Sequence, residues 1–119
     1  MLSVPSSLRI FVCLLPADMR RSFDGLARMA QDVVREDPAS GHLFVFRNRR
    51  GDRVKVLYWD RDGYALWYKR LEAGTFRFPE ASGETAEWSP AELAMVLEGI
   101  EAREISRGKR YRKKVGFTQ

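Results

Sequence analysis

One cysteine and one histidine in 119 residues exclude several chemistries at once. No disulfide can form within the chain, no zinc site can be built from Cys and His alone, and a Cys-His or Ser-His nucleophilic pair would have to use His42. Cys13 lies in an apolar run and reads as a buried small hydrophobe rather than a reactive thiol. That usage fits a reducing cytoplasm. Apolar runs are short too. The longest, Ile10 to Leu15, falls well below the ~18 residues of a membrane span, and no cationic n-region precedes it as in a signal peptide. Phosphate-cradling Gly-rich loops of the P-loop or dinucleotide type are missing, as is a zinc-protease helix. Asp60-Arg61-Asp62 could be drawn as a metal-binding pair, but carboxylates in tight turns bond their own backbone. Asp18, Asp24 and Asp32 fall on one segment, whereas a two-metal nuclease gathers carboxylates from several elements. No catalytic residue, metal or cofactor is therefore assigned, and no membrane partner is expected.

What the chain does have is a run of short apolar or alternating segments from Leu43 to Pro79, divided by Arg49-Arg50-Gly51-Asp52, Asp60-Arg61-Asp62-Gly63 and Glu72-Ala73-Gly74-Thr75. Gly beside acidic or polar residues supplies the positive φ of tight hairpins, so four consecutive antiparallel strands are predicted. Around Asp62-Gly63, a two- or four-residue loop shifts pairing by an even step and leaves the faces unchanged. One face then carries Val54, Val56, Tyr58, Ala65, Trp67 and Leu71, continued by Phe76 and Phe78 on the fourth strand, and reads as the core face. The other carries Arg53, Lys55, Leu57, Trp59, Tyr64, Leu66, Tyr68, Arg70 and Arg77.

Cations and aromatics alternate on that second face. Arg70 and Arg77 are expected nearly opposite each other, which is unfavourable by about 0.2–1 kcal/mol unless an anion bridges them. Trp59, Tyr64 and Tyr68 are candidates for stacking on bases or on a partner. The alternative is an ordinary sheet face whose long side chains snorkel while another element covers the aromatics. The Asn48 to Asp52 loop leaves the first strand's parity open.

Before the meander, Leu8 to Leu15 is apolar at nearly every position, as in a strand buried on both faces and lying inside the sheet. Asp18 after Pro16 is a candidate helix N-cap, with Met19, Phe23, Leu26, Ala30 and Val33 or Val34 at helical spacing. Gly25 inside that helix costs about 1 kcal/mol against Ala. It implies close packing, a kink, or a later start near Ser22. After the meander, Glu80 to Glu87 reads as a loop. Ser89-Pro90-Ala91-Glu92 is a capping-box helix start followed by Leu93, Val96, Leu97 and Ile100.

The formal charge of +5 is unevenly spread: residues 47–77 carry 9 basic and 4 acidic side chains, residues 78–102 carry 0 and 6, and residues 103–119 carry 7 and 1. Such partition speaks to partners. The tail, with Lys109, Arg110, Arg112, Lys113 and Lys114, has too few apolar residues to fold alone and reads as a flexible extension that supplies sequence-independent phosphate contacts.

At Pro16-Ala17-Asp18-Met19-Arg20, Asp24-Gly25-Leu26, Pro38-Ala39-Ser40-Gly41, Phe44-Val45-Phe46-Arg47-Asn48-Arg49, Lys55-Val56-Leu57-Tyr58-Trp59-Asp60 and Tyr68-Lys69-Arg70-Leu71-Glu72-Ala73-Gly74-Thr75-Phe76 the chain resembles the TnpB accessory proteins of the insertion-sequence 66 family of bacterial transposons. The likeness runs from about Leu8 to Ile100. It implies an accessory role in transposition, beside a separate, larger transposase that carries the strand-transfer chemistry. The RNA-guided nucleases that share the name TnpB are several times longer and need a carboxylate nuclease core. Within the family pattern, Asp18 and Arg20 form either an intramolecular pair or a phosphate contact, and Phe46-Arg47-Asn48-Arg49 places two guanidiniums at a hairpin tip where they could meet a DNA backbone.

The expectation is thus an α+β domain over residues 1–106, ordered β-α-β-β-β-β-α, with a single mainly antiparallel sheet, helices packed on one face and a basic tail over 107–119. The leading function is a non-catalytic, cytoplasmic, DNA-binding accessory protein of transposition. Arg47, Arg49, Arg50, Arg53, Lys55, Arg70, Arg77 and the tail would contact DNA, including transposon ends. The alternative is an interaction module that docks on the transposase through the acidic second helix, with Glu92, Glu98 and Glu101 as contact candidates. Oligomeric state is not assigned.

Overall fold

Parallel pairing of two largely apolar strands sets the centre of the sheet. The computed structural model describes residues 7–99. β1 (Ile10–Cys13) pairs parallel with β2 (Leu43–Arg47), placing Ile10 opposite Leu43 and Val12 opposite Val45. Parallel neighbours need a crossover, here supplied by α1 (Phe23–Met29) and the π-helical turn Ala30–Val34 that continues it. β3 (Arg53–Trp59) and β4 (Tyr64–Arg70) follow as antiparallel hairpins, and β5 (Thr85–Trp88) pairs antiparallel with β1. α2 (Pro90–Glu98) closes the described chain. The strand order is β4-β3-β2-β1-β5, one open, mainly antiparallel mixed sheet in the expected element order. The expected boundary at residue 106 and the tail lie outside the described residues.

The β3–β4 register agrees with the sequence reading: Trp59 faces Tyr64 across the four-residue turn, and Val56 faces Trp67. Val54 and Val56 are fully buried, with Tyr58, Trp67 and Leu71 packed against them. The parity left open for β2 is settled: Leu43 and Val45 join this face, Phe44 and Phe46 the other.

Two features of the architecture differ from expectation. The first is the fourth meander strand. Phe76 and Phe78 lie in an irregular segment whose Leu71 N–H donates to the Asp52 carbonyl and whose Phe76 N–H donates to the Gly51 carbonyl. This segment ties to the β2–β3 loop, not to the edge of β4, and lays Phe76 and Phe78 on the core, with Phe78 edge-to-face on Trp88 at 4.8 Å. The fifth strand forms instead from residues with the composition of a loop, because β1 is apolar on both faces and needs a neighbour on its second edge. Trp88 is buried and Ala86 half-buried, whereas Thr85 and Glu87 are exposed.

The second is helix placement. The helices do not share one face. α2 packs Leu93, Val96 and Leu97 against Ile10, Val12, Val45, Val54 and Val56. Leu26, Met29, Ala30 and Val34 cover Phe11, Cys13, Phe44, Phe46 and Leu57 on the opposite side. Alternation along β1 and β2 leaves two apolar faces, and each must be covered. Every fully buried Leu, Val or Phe contributes about 1.5–3 kcal/mol, so exposing either face would outweigh any gain from stacking both helices together.

The capping box forms as expected: the Ser89 hydroxyl accepts from the Glu92 N–H at 3.2 Å and Glu92 accepts from the Ser89 N–H at 2.8 Å. The first helix begins late, at Phe23, and Phe23 is 43% exposed, off the buried stripe. Asp18 therefore does not cap it.

Candidate nucleic-acid interface

Two connections, β1–α1 and β2–β3, meet at the end of the sheet where β1 and β2 finish and β3 begins. The β1–α1 connection is held to β2 by the Ala17 N–H, which donates to the Arg47 carbonyl at 2.8 Å. The β2–β3 loop is locked by Asn48. Its Oδ1 accepts from the Gly51 and Arg53 N–H groups, both at 3.0 Å, and its Nδ2 donates to Asp52 at 2.7 Å. Gly51 sits at φ +81°, a conformation that a side chain would strain. That Asn48 bond also lowers the Asp52 pKa. The lock leaves Arg49 and Arg50 exposed at the tip.

Beside them, Arg53 and Arg70 face each other across β3 and β4. The like-charge pair is thus Arg53–Arg70, and not Arg70–Arg77 as the sequence register suggested. Each cation has a local partner: Arg53 Nη1 lies 3.3 Å from the Tyr68 hydroxyl, and Arg70 pairs with Glu72 at 3.0 Å. Tyr68 is 47% exposed, the most open of the stacking candidates. Trp59 and Tyr64, by contrast, are half-buried and pack edge-to-face at 5.0 Å, with Trp59 Nε1 donating to the Arg61 carbonyl. Burial raises the Tyr64 pKa, helped by Asp37 and Asp24.

Other expected contacts are placed differently. Lys55 is only 5% exposed, and its ammonium donates to the carbonyls of Met19 and Arg21, both at 2.8 Å, while lying 4.6 Å from the Tyr68 ring centroid. It anchors the β1–α1 connection and leaves the set of surface cations. The guanidinium of Arg47 lies over the Phe78 ring at 4.6 Å. Arg77 is exposed in the irregular segment after Phe76. Lys109, Arg110, Arg112, Lys113, Lys114 and Glu101 lie outside the described residues. Glu92 belongs to the capping box, whereas Glu98 is exposed at the end of α2. There, Lys69 Nζ donates to the Leu97 carbonyl at 2.9 Å, a cation on the negative end of the helix.

Asp18 and Arg20 form an intramolecular fork. Arg20 Nε and Nη2 reach both carboxylate oxygens at 2.6–3.1 Å, and the Arg20 backbone N–H adds a bond at 2.9 Å. The Arg20 side-chain bonds, then its backbone bond, pull the Asp18 pKa to about 2.

Sequence reasoning did not single out Arg21. Arg21 lines a cleft with Pro16, Ala17, Asp18, Met29 and Arg49. The signal was Gly25: a Cβ there would sit 3.1 Å from the Cβ and Cγ of Arg21, so its absence gives the Arg21 stem a seat.

Cys13 is buried with its thiol 3.5 Å from the Leu15 carbonyl, and burial pushes its pKa up. Asp60 and Asp62 are engaged in the β3–β4 turn, where the Asp60 N–H donates to the Gly63 carbonyl at 2.7 Å. Among the described residues no cluster of three His, Cys, Asp or Glu side chains could hold a metal ion, and no helix is long and apolar enough to cross a membrane.

A family model described as IS66 Orf2 like protein matches residues 8–107. Two curated relatives come from Sinorhizobium fredii (strain NBRC 101917 / NGR234). Uncharacterized protein y4hO is 40% identical over 103 residues, covering 87% of this chain and 90% of the relative. Uncharacterized protein y4jC is 36% identical over 107 residues, covering 90% and 92%. No solved structure gives a significant match.

Proposed function

Because the chain belongs to the IS66 Orf2-like family, which is associated with transposition, we propose that it is a non-catalytic accessory protein that binds the backbone of transposon DNA beside the element's transposase. The observation that carries this reading is the locked β2–β3 loop. Asn48 fixes a tip on which Arg49 and Arg50 project, next to the facing pair Arg53 and Arg70. Guanidiniums gathered on a pre-formed loop neutralise phosphates with little ordering cost, and exposed Tyr68 adds a stacking surface. Arg77 and the basic tail would extend the same contact. The protein then works in the cytoplasm, at the nucleoid when DNA is bound.

Fluorescence anisotropy tests it, on a transposon-end duplex and a shuffled duplex, with the full chain and a version ending at Ser106. The reading predicts end-duplex binding by both versions. Binding that disappears with the tail would remove the folded domain from DNA contact and favour docking on the transposase. Docking through α2 is the second reading, supported by exposed Glu98. It predicts that Glu98→Lys abolishes co-purification with the transposase.

A further inference from the structure

We propose that the cleft between the β1–α1 connection and the β2–β3 hairpin is a binding site for one sugar-linked phosphate, gripped by Arg21 and Arg49. The cleft opens at the carboxyl ends of the parallel pair β1 and β2, where crevices form in open sheets. Its volume, about 470 Å³, admits a phosphate with its adjoining sugar.

The electrostatics select an anion. Two arginines line one concavity from separate segments, Arg21 ahead of α1 and Arg49 from the hairpin tip. Asp18 also lines it, but the Arg20 fork and backbone N–H already occupy that carboxylate, so the Asp18–Arg20 pair adds no net charge. Arg21 makes one weak contact, from Nη1 to the Gly25 carbonyl at 3.3 Å. No hydrogen bond or ion pair joins the Arg49 side chain to another described residue. A phosphate between them would accept charge-assisted hydrogen bonds from both.

The local structure is arranged to present Arg21. Its stem lies across Gly25, where a Cβ would come within 3.1 Å of Arg21 Cβ and Cγ. Its carbonyl is held by Lys55 Nζ at 2.8 Å, which fixes the backbone from which the side chain departs. On the other side, Asn48 fixes the loop that carries Arg49. A glycine inside a helix costs stability, and seating Arg21 is the return visible in the structure.

The phosphate can come from a DNA backbone or from a free nucleotide. Only the first source rests on the DNA-binding reading above. Isotope-labelled full-length protein is titrated with deoxyadenosine monophosphate and, separately, with a short duplex, while the Ala17, Arg21 and Arg49 amides and the arginine Nε signals are followed by NMR. The site predicts saturable shifts at these three residues. It also predicts that Arg21→Gln and Arg49→Gln each weaken binding about tenfold, the loss expected for a charge-assisted bond. Gly25→Ala should weaken phosphate binding while the thermal midpoint holds or rises, an outcome that a merely structural Arg21 would not give. Shifts with both probes assign the site to backbone phosphate. Shifts with the nucleotide and no duplex binding keep the site and remove the DNA reading. Duplex binding that leaves Ala17, Arg21 and Arg49 unmoved, and is insensitive to Arg21→Gln and Arg49→Gln, overturns the site while the DNA reading stands.

Discussion

Lys55 on β3 places its ammonium 2.8 Å from the carbonyl of Arg21, and at the same distance from that of Met19. A residue with the sequence signature of a surface cation thus holds the entry to α1 against the sheet. Lys55→Ala would leave two carbonyls without their charged donor and open space beside Tyr68. The expected cost is about 2–3 kcal/mol in urea denaturation. A change below about 0.5 kcal/mol would contradict the anchoring role.

Asn48 serves the hairpin as Lys55 serves the helix. Asn48→Ala removes the acceptor of the Gly51 and Arg53 N–H groups and the donor to Asp52. Destabilisation of about 1–2 kcal/mol is expected, with faster amide exchange confined to residues 48–53. Uniform loosening of the whole sheet would show that the lock is not local.

These two residues mark what a sequence can disclose. The β3–β4 register, the core face of Val54 and Val56, the double-sided burial of β1 and the Ser89–Glu92 capping box are legible, because each follows from local periodicity, turn chemistry or spacing. β5 is not, since Thr85–Trp88 alternates for only four residues and its strand character comes from the free edge of β1, far away in sequence. Burial of Lys55 is illegible for the same reason: its partners are carbonyls delivered by a distant connection. The site is half legible. Turn chemistry puts Arg49 and Arg50 at a hairpin tip, whereas helix periodicity hides Arg21, although Gly25 stands out as an anomaly beside it.

Acid should open the Asp18–Arg20 fork. The Asp18 pKa is depressed to about 2, so the fork's stabilisation is present above the ordinary carboxylate pKa and is lost as pH falls through about 2. Carboxyl NMR titration should place the Asp18 midpoint near 2, and Arg20→Gln should return it to the ordinary Asp range. A normal midpoint in the unmodified protein would remove the fork.

Arg53 and Arg70 should oppose folding while aiding binding. Facing like charges cost a few tenths of a kcal/mol at low salt, less as salt screens them. Arg53→Gln should therefore leave the thermal midpoint unchanged or slightly raised in low salt and weaken duplex binding. Lower stability with unchanged binding would make the Arg53–Tyr68 contact structural.

The most direct test of the account is the salt dependence of duplex affinity for the full chain and for the combined Arg49→Gln, Arg50→Gln, Arg53→Gln protein. Removing one arginine–phosphate interaction should flatten the slope of log affinity against log salt by about 0.9. Weaker binding, a flatter slope and an unchanged fold are predicted. Identical affinity and slope would contradict DNA binding through the hairpin tip.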